Sequence, residues 1–185
     1  ITLVELSDMN KPLLRDLSLK APGTLQHSLQ VANLAEVAAT AIGADQLLVK
    51  VAALYHDVGK MKNPKFFIEN QSGTNPHDGL GEKESAKIII DHVSEGVKMA
   101  KKQGLPEMLI DFIRTHHGTT RVEYFYRNYL EKNPDEPVDE RSFRYTGPRP
   151  RTKEETILLA REAIKNGIDH FMLMAPKRFG KEVEK

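Results

Sequence analysis

The chain has 185 residues and a net charge of +1, with 27 Lys and Arg against 26 Asp and Glu. At 39% hydrophobic and 29% charged it can bury one real core, which excludes wholesale disorder, and its charge balance argues against a broad cationic nucleic-acid surface. The absence of cysteine excludes disulfides, thiolate metal sites and a cysteine nucleophile.

Along the chain the pattern repeats at three and four rather than at two, which predicts an all-α fold. Pro22 and Gly23 mark a turn, and Thr24 is the predicted N-cap of a helix over residues 24–42. Leu34 and Ala38 belong to its expected apolar face, and Gly43 stops it. A second helix is expected over 44–57, with Leu47, Leu48, Val51, Leu54 and Tyr55 in the core and Gly59 at its end. Residues 60–81 hold Pro64, Pro76 and three glycines and read as an ordered loop or lid. A third helix covers 82–103; its Ile88-Ile89-Ile90 run is ambiguous with a strand, but the length of the pattern favours helix. Gly104 breaks it, Pro106 sits in the first turn of a fourth helix running to about 117, and Gly118 separates that from a fifth over 120–130. A proline-rich connection spans 133–151. Thr152 with Glu155 forms a capping box for a last helix starting at Lys153, and residues 177–185 read as a frayed basic tail. No apolar run approaches the roughly 20 residues that span a bilayer. Residues 1–10 show no basic start and no cleavage site, so neither a signal peptide nor membrane contact is expected of this segment itself.

The chemistry lies in the histidines. Seven are present: His27, His56, His77, His92, His116, His117 and His170. Five of them, His27, His56, His92, His116 and His117, fall on or beside apolar helix stripes, which normally face a core. Each buried imidazole needs a hydrogen bond or a metal. One such residue is an ordinary satisfied core histidine; for five, a shared cation meets the need once. Imidazole and carboxylate without sulfur suit Fe, Mn, Zn, Co or Ni and tell against a structural cysteine-zinc site. Adjacent residues such as His56 and Asp57 diverge by about 100° on a helix, so two metals can share the pair. Two metals a few ångströms apart suit phosphoester hydrolysis.

The order His27, then His56-Asp57-Val58-Gly59-Lys60, then His92, then His116-His117 resembles the HD-domain phosphohydrolase superfamily. The stretches LSDMNKPLLRDLSLKAPGTLQHSLQVANLAE, FFIENQSGTNPHDGL and DFIRTHHGTT are similar to the cytoplasmic HD domain of the seven-transmembrane HD family, the PgpH-type cyclic di-AMP phosphodiesterases. The likeness covers about residues 3–160. His116-His117 is followed by Gly118-Thr119-Thr120, not by the Gly-Tyr-Pro signature of the related cyclic di-GMP enzymes.

The resemblance implies one HD domain over residues 1–185, a bundle of six or more helices. It also implies a phosphodiesterase that converts cyclic di-AMP to linear pApA with two divalent metals, iron or manganese foremost. Carried over by position, His27, His56, Asp57, His92, His116 and His117 are the metal ligands, Asp57 bridges the ions, and hydroxide between them attacks phosphorus in line. Lys60 is placed to contact a phosphate oxygen. The resemblance further implies the cytoplasmic part of a bacterial multi-pass membrane protein; the oligomeric state is left open. Alternatives are a nucleotide sensor that keeps the fold without turnover, and a hydrolase of another phosphoester such as cyclic di-GMP or a nucleotide.

One departure stands out. The family has a ligand Asp in its last helix, but here Ile157-Leu158-Leu159-Ala160 is followed by Arg161. The ligand is lost, or Glu162 or Asp169 replaces it, or the chain joins two stretches across missing residues. The abrupt end of the likeness favours the join. Weaker candidates are His77 at the rim of the site and Tyr55, Phe66 or Phe67 as adenine-stacking rings, against ordinary roles as loop or core anchors. Arg144, Arg149 and Arg151 form a basic loop near Tyr145 that reads as solvated, and His170 as structural or exposed. No Walker loop and no nucleophile elbow is present.

Overall fold

A computed structural model describes residues 2–165. Asp169, His170 and the basic tail lie outside the described residues. The described chain is helical: α1 (Leu3–Leu6), α2 (Pro12–Lys20), α3 (Pro22–Ile42), α4 (Gln46–Tyr55), α5 (Glu82–Lys102), α6 (Glu107–Thr115), α7 (Glu123–Lys132) and α8 (Lys153–Lys165). The single bridge pairs Arg121 with Arg144, and no strand occurs among the described residues. No helix among them is long and apolar enough to cross a membrane.

Several boundaries differ from the sequence expectation, each for a local reason. The helices α1 and α2 were not anticipated. Thr2 and Glu5 make a full capping box for the first; Pro12 opens the second, whose Leu13, Leu14 and Leu17 are buried. Pro22 and Gly23 are not a turn but the first residues of α3, because proline at the first helical position has its φ already set. Thr24 therefore sits inside the helix and is not its cap. The buried face of α3 is Val31, Ala32, Ala35 and Ala39, whereas Leu34 and Ala38 point outward. Leu47 is likewise exposed, at the edge of α4. Helix α4 is capped by Asp45 and stops at Tyr55, short of the expected 57. Residues 60–81 hold a succession of short 3-10 turns. The isoleucine run is helical and half-buried within α5. Pro106 is the N-cap of α6, and α7 begins at Glu123 rather than 120. The predicted capping of α8 holds in part: Thr152 Oγ1 accepts from the Glu155 N–H at 3.1 Å, while the Glu155 carboxylate accepts from the Arg151 N–H at 2.8 Å.

One apolar cluster runs from Leu6 to Leu158, with Leu14, Leu17, Val31, Val49, Leu109 and Ile113 at its centre. Helix α3 packs along α4, and α8 closes over α3, α4 and α6. A second, smaller cluster around Phe143 and Tyr129 ties α5 to α7 and the loop after it. The contact that most directly places the functional residues is glycine against glycine. The turn after α4 lies on α5, where Gly59 meets Gly96. A Cβ on Gly59 would fall 1.8 Å from the His92 carbonyl oxygen and 2.5 Å from the Gly96 nitrogen. Both obstacles are backbone, so only a missing side chain permits the approach. Gly59→Ala is expected to destabilise the fold by about 3 kcal/mol through this overpacking, measured as a shift in the urea unfolding midpoint. A change under about 0.5 kcal/mol, the size of an ordinary surface substitution, would mean that α5 can slide away freely.

Candidate metal centre

Five segments deliver their polar side chains to one buried point. His27 comes from the first turns of α3, where the pitch that buries Val31 also buries it. His56 is the C-cap of α4, and Asp57 follows with φ −107° and ψ 14°, outside the helix. That break matters: on a continuing helix the two side chains would diverge, but here they converge, with His56 Nε2 3.2 Å from Asp57 Oδ2. His92 enters from α5, and His116 and His117 from the end of α6. Glu162, on α8, completes the ring: its Oε1 lies 3.3 Å from His27 Nε2 and 3.7 Å from His56 Nε2. All are buried.

The Asp57 carboxylate divides its two oxygens between two groups. Oδ2 faces His56 at 3.2 Å and His27 at 3.9 Å. Oδ1 faces His92 at 3.3 Å and His116 at 3.5 Å. In each group, His27–His56–Asp57 and Asp57–His92–His116–His117, one ligand atom per residue lies within 4.8 Å of all the others.

The tautomers are set by the backbone. His56 Nδ1 lies 2.7 Å from the Ala53 carbonyl, His116 Nδ1 2.8 Å from that of Ile113, and His92 Nδ1 bonds that of Ile89. Nδ1–H is therefore the donor in each, which leaves Nε2 as the nitrogen turned inward. His92 Nε2 and His116 Nε2 stand 3.1 Å apart. A single cation could meet both of these inward nitrogens. His56 Nε2 and Asp57 Oδ1 are buried without a hydrogen bond, while Asp57 Oδ2 has the Lys60 ammonium 2.7 Å away. Orphaned acceptors converging on one point are costly, and they fit a cation bound among them.

Charge in the site follows the same logic. Burial works to raise the Asp57 pKa, but His56 and Lys60 outweigh it and hold the group well below the usual carboxylate range. Glu162 is held low in the same way by its hydrogen bonds with His27 and His56. Burial would depress His56; Asp57 and Glu162 instead lift it to about 10. Burial keeps His116 near 4, and pushes His117 well below its ordinary value.

Some expected site residues fall elsewhere. Lys60 reaches the site, but its ammonium is not open to a phosphate. It sits 2.7 Å from Asp57 Oδ2 and 2.8 Å from Glu69 Oε1, which raises its pKa despite burial. Tyr55 is a core residue whose hydroxyl donates to the Leu6 carbonyl at 2.7 Å, so it stacks on no ligand. His77 anchors the loop: its Nε2 bonds the Phe66 carbonyl at 2.9 Å and its ring lies between Phe66 and Phe125, apart from the metal-binding groups. Phe67 packs edge-on against His92 and beneath Lys60, as a wall of the site. Arg144 is tied to Glu140 by two hydrogen bonds and is not free to meet an anion.

Sequence reasoning missed Glu69 and Tyr145. Glu69 braces Lys60, and the Tyr145 ring lies on His117. Neither carries a local signal, since both are brought in by loops. At Arg161 the helix α8 runs on, and Glu162, one of the residues named as a replacement ligand, lies in the ring. Beside His117 and Tyr145 a cleft of about 440 Å³ opens along α5, floored by Ile90, Val93 and Val97.

The HD domain family profile matches residues 24–162. The chain is 46% identical over 167 residues to the cyclic-di-AMP phosphodiesterase PgpH of Listeria monocytogenes, covering 90% of this chain and 23% of that protein. It is 42% identical over 182 residues to the protein of the same name from Bacillus subtilis, covering 98% and 25%. It thus spans about a quarter of the length of these curated relatives. Among solved structures, the HD domain of the L. monocytogenes phosphodiesterase PgpH superposes with a TM-score of 0.78 at 44% identity, over 84% of this chain and 73% of that one. The same domain in complex with cyclic-di-AMP gives 0.78 at 46% identity, over 83% and 70%.

The protonation pattern has a measurable consequence. Near pH 7.5 and without metal, His56 carries a proton, because its pKa of about 10 lies above that pH, while His116, near 4, is neutral. A metal takes a neutral imidazole, so binding at this site must expel about one proton. Titration calorimetry with Mn(II) in buffers of different ionisation enthalpy is expected to show that release, and apparent affinity to rise as pH climbs toward 10. A heat independent of buffer would contradict it.

Proposed function

The chain belongs to the HD-domain family, and on that premise we propose that it is a metal-dependent phosphodiesterase that hydrolyses cyclic di-AMP to pApA. The observation that carries this reading is the convergence of inward imidazole lone pairs on the two oxygens of Asp57, each oxygen facing its own histidine group. The names and ligand of the solved relatives supply the substrate.

We assign one ion to His27, His56, Asp57 and Glu162, and a second to Asp57, His92, His116 and His117. Fe or Mn are the metals proposed, from the family resemblance; the nitrogen and oxygen donors are compatible with either. Divalent cations held there would neutralise charge on a phosphodiester and acidify water. The protein's own part is positional. Asp57 links both groups. Lys60 steadies Asp57 and offsets its charge; Glu69 in turn holds Lys60. The imidazoles are preset by their backbone carbonyls, so little reorientation is needed when a ligand arrives. The burial of the ring excludes bulk water, and the cleft beside His117 offers space for part of a dinucleotide. By its share of the relatives' length, the chain is proposed to be the catalytic portion of a longer, membrane-anchored protein that faces the cytoplasm.

A sensor that binds without turnover drew its support from the absent aspartate at 161; the position of Glu162, 3.3 Å from His27 and 3.7 Å from His56, favours the enzyme. The direct test is to load the protein with Mn(II) or Fe(II), add cyclic di-AMP, and look for pApA by chromatography, with cyclic di-GMP and nucleotide monophosphates run in parallel. Turnover of cyclic di-AMP is expected; metal-loaded protein that binds it without product would make the chain a sensor. Asp57→Ala and His56→Ala are expected to bring turnover below detection, and wild-type rates in either would rule out the site. Glu162→Gln keeps the shape and loses the charge. It is expected to weaken metal binding at least about tenfold, the scale on which site contacts tune affinity; unchanged affinity, read by chelator competition, would remove Glu162 from the site.

A further inference from the structure

Three of the site's imidazoles are oriented by a hydrogen bond from Nδ1 to the carbonyl three residues earlier: His56 to Ala53, His92 to Ile89 and His116 to Ile113. His117 lies one residue beyond its helix's C-cap and has no carbonyl in that relation; among the described residues no hydrogen bond to its ring is formed. Something else must fix it, because a ligand imidazole free to rotate about its Cβ–Cγ bond loses its aim. The Tyr145 ring lies flat against it, with centroids 4.1 Å apart and planes inclined by 11°, the only parallel ring pair at the site among the described residues. Tyr145 is itself held firmly. Its N–H donates to the Thr120 carbonyl at 2.9 Å, the Val122 N–H donates to the Phe143 carbonyl at 2.8 Å, and Arg121 and Arg144 pair in the antiparallel sense between them. This short ladder pins the returning loop to the residues that directly follow His117, so the tyrosine is registered to the histidine by backbone.

We infer that Tyr145 is the positioning residue of His117. By stacking, it does for this imidazole what a carbonyl does for the other three, and it keeps the ring nitrogen turned toward Asp57, His92 and His116. The inference rests on the metal-site reading above. It predicts that the face of the ring, not the hydroxyl, is what counts. Tyr145→Phe should bind metal within about twofold of the wild type. Tyr145→Leu should bind one equivalent on the order of tenfold more weakly, the scale found when support of a metal ligand is removed, and should alter the Co(II) d–d absorption spectrum. The effect should vanish in a His117→Ala background, because the tyrosine acts through that residue. Co(II) titration with spectral readout on the four variants, alongside melting curves of the metal-free forms, tests this. Should the leucine variant not fold, Tyr145→Ile takes its place in the same comparison.

A leucine or isoleucine variant with wild-type affinity and spectrum would overturn the inference, as would an equal loss in Tyr145→Phe. A loss that persists without His117 would overturn it too. If the wild type itself takes up no metal, the metal-site reading fails instead, and the two failures are thereby distinct.

Discussion

The structure depends on balancing charge at a point from which water is largely excluded. Asp57 and Glu162 are both buried there, and a buried carboxylate without compensation costs several kcal/mol. Of the surrounding groups, Lys60 is a permanent cation, and His56 becomes one by holding a proton. The inward nitrogens of His92 and His116 face each other 3.1 Å apart. The arrangement makes sense as a receptacle for positive charge, in which the His56 proton stands where a metal would go. Two helix ends contribute to the same field. Helices α4 and α6 terminate at His56 and His116, and their last carbonyls carry the negative end of the helix dipole. Three of the carbonyls near these helix ends and in α5 are also the acceptors that orient the rings. One set of backbone groups thus fixes both the field and the tautomers.

The long loop between α4 and α5 acts as a strut. Glu69 Oε1 accepts from Lys60 at 2.8 Å and from the Thr24 hydroxyl at 3.3 Å, and Asn70 exchanges hydrogen bonds with the Thr24 backbone and side chain. Gly23 lets the loop backbone close onto the start of α3, where a Cβ would fall 1.8 Å from the Glu69 carbonyl oxygen. The loop therefore links the helix that carries His27 to the turn that carries Asp57. Lys60 is buried between carboxylates, so breaking either pair would leave an uncompensated charge inside the protein. Such a lysine is held too tightly to sweep toward a substrate. Its influence passes through Asp57.

The sequence revealed the site better than the packing, for a physical reason. Five histidines and an aspartate at helix-compatible positions state their chemistry wherever they are read, and all six meet in the structure. Helix faces do not announce themselves so well. α3 carries two apolar stripes, one through Val31, Ala35 and Ala39 and another through Leu34, Val37 and Ala38, and periodicity cannot choose between them. The buried one is the stripe of smaller residues, because α4 packs closely there, and a rule that sends the largest residues inward picks the other. Thr24 looked like a cap because its hydroxyl is a good one; the structure spends that hydroxyl on the loop strut instead. Glu69 and Tyr145 were not legible at all. Their roles arise only when chain segments 9 and 28 residues away from Lys60 and His117 return to them.

In the last helix a glutamate at 162, one position beyond that of the expected aspartate, brings a carboxylate to the histidines. Moving one position along an α-helix turns a side chain by about 100° and advances it about 1.5 Å. An aspartate at 161 and a glutamate at 162 therefore leave the helix in different directions and cannot be interchanged by inspection of spacing. Glutamate has one more methylene and one more rotatable bond, which lets its carboxylate swing back toward a target that the shorter side chain would meet from the neighbouring position. In this chain Glu162 does so: it is buried, within 3.3 Å of His27 and 3.7 Å of His56. On the proposed reading of the site, α8 supplies its negative charge to two imidazoles through the reach of the Glu162 side chain.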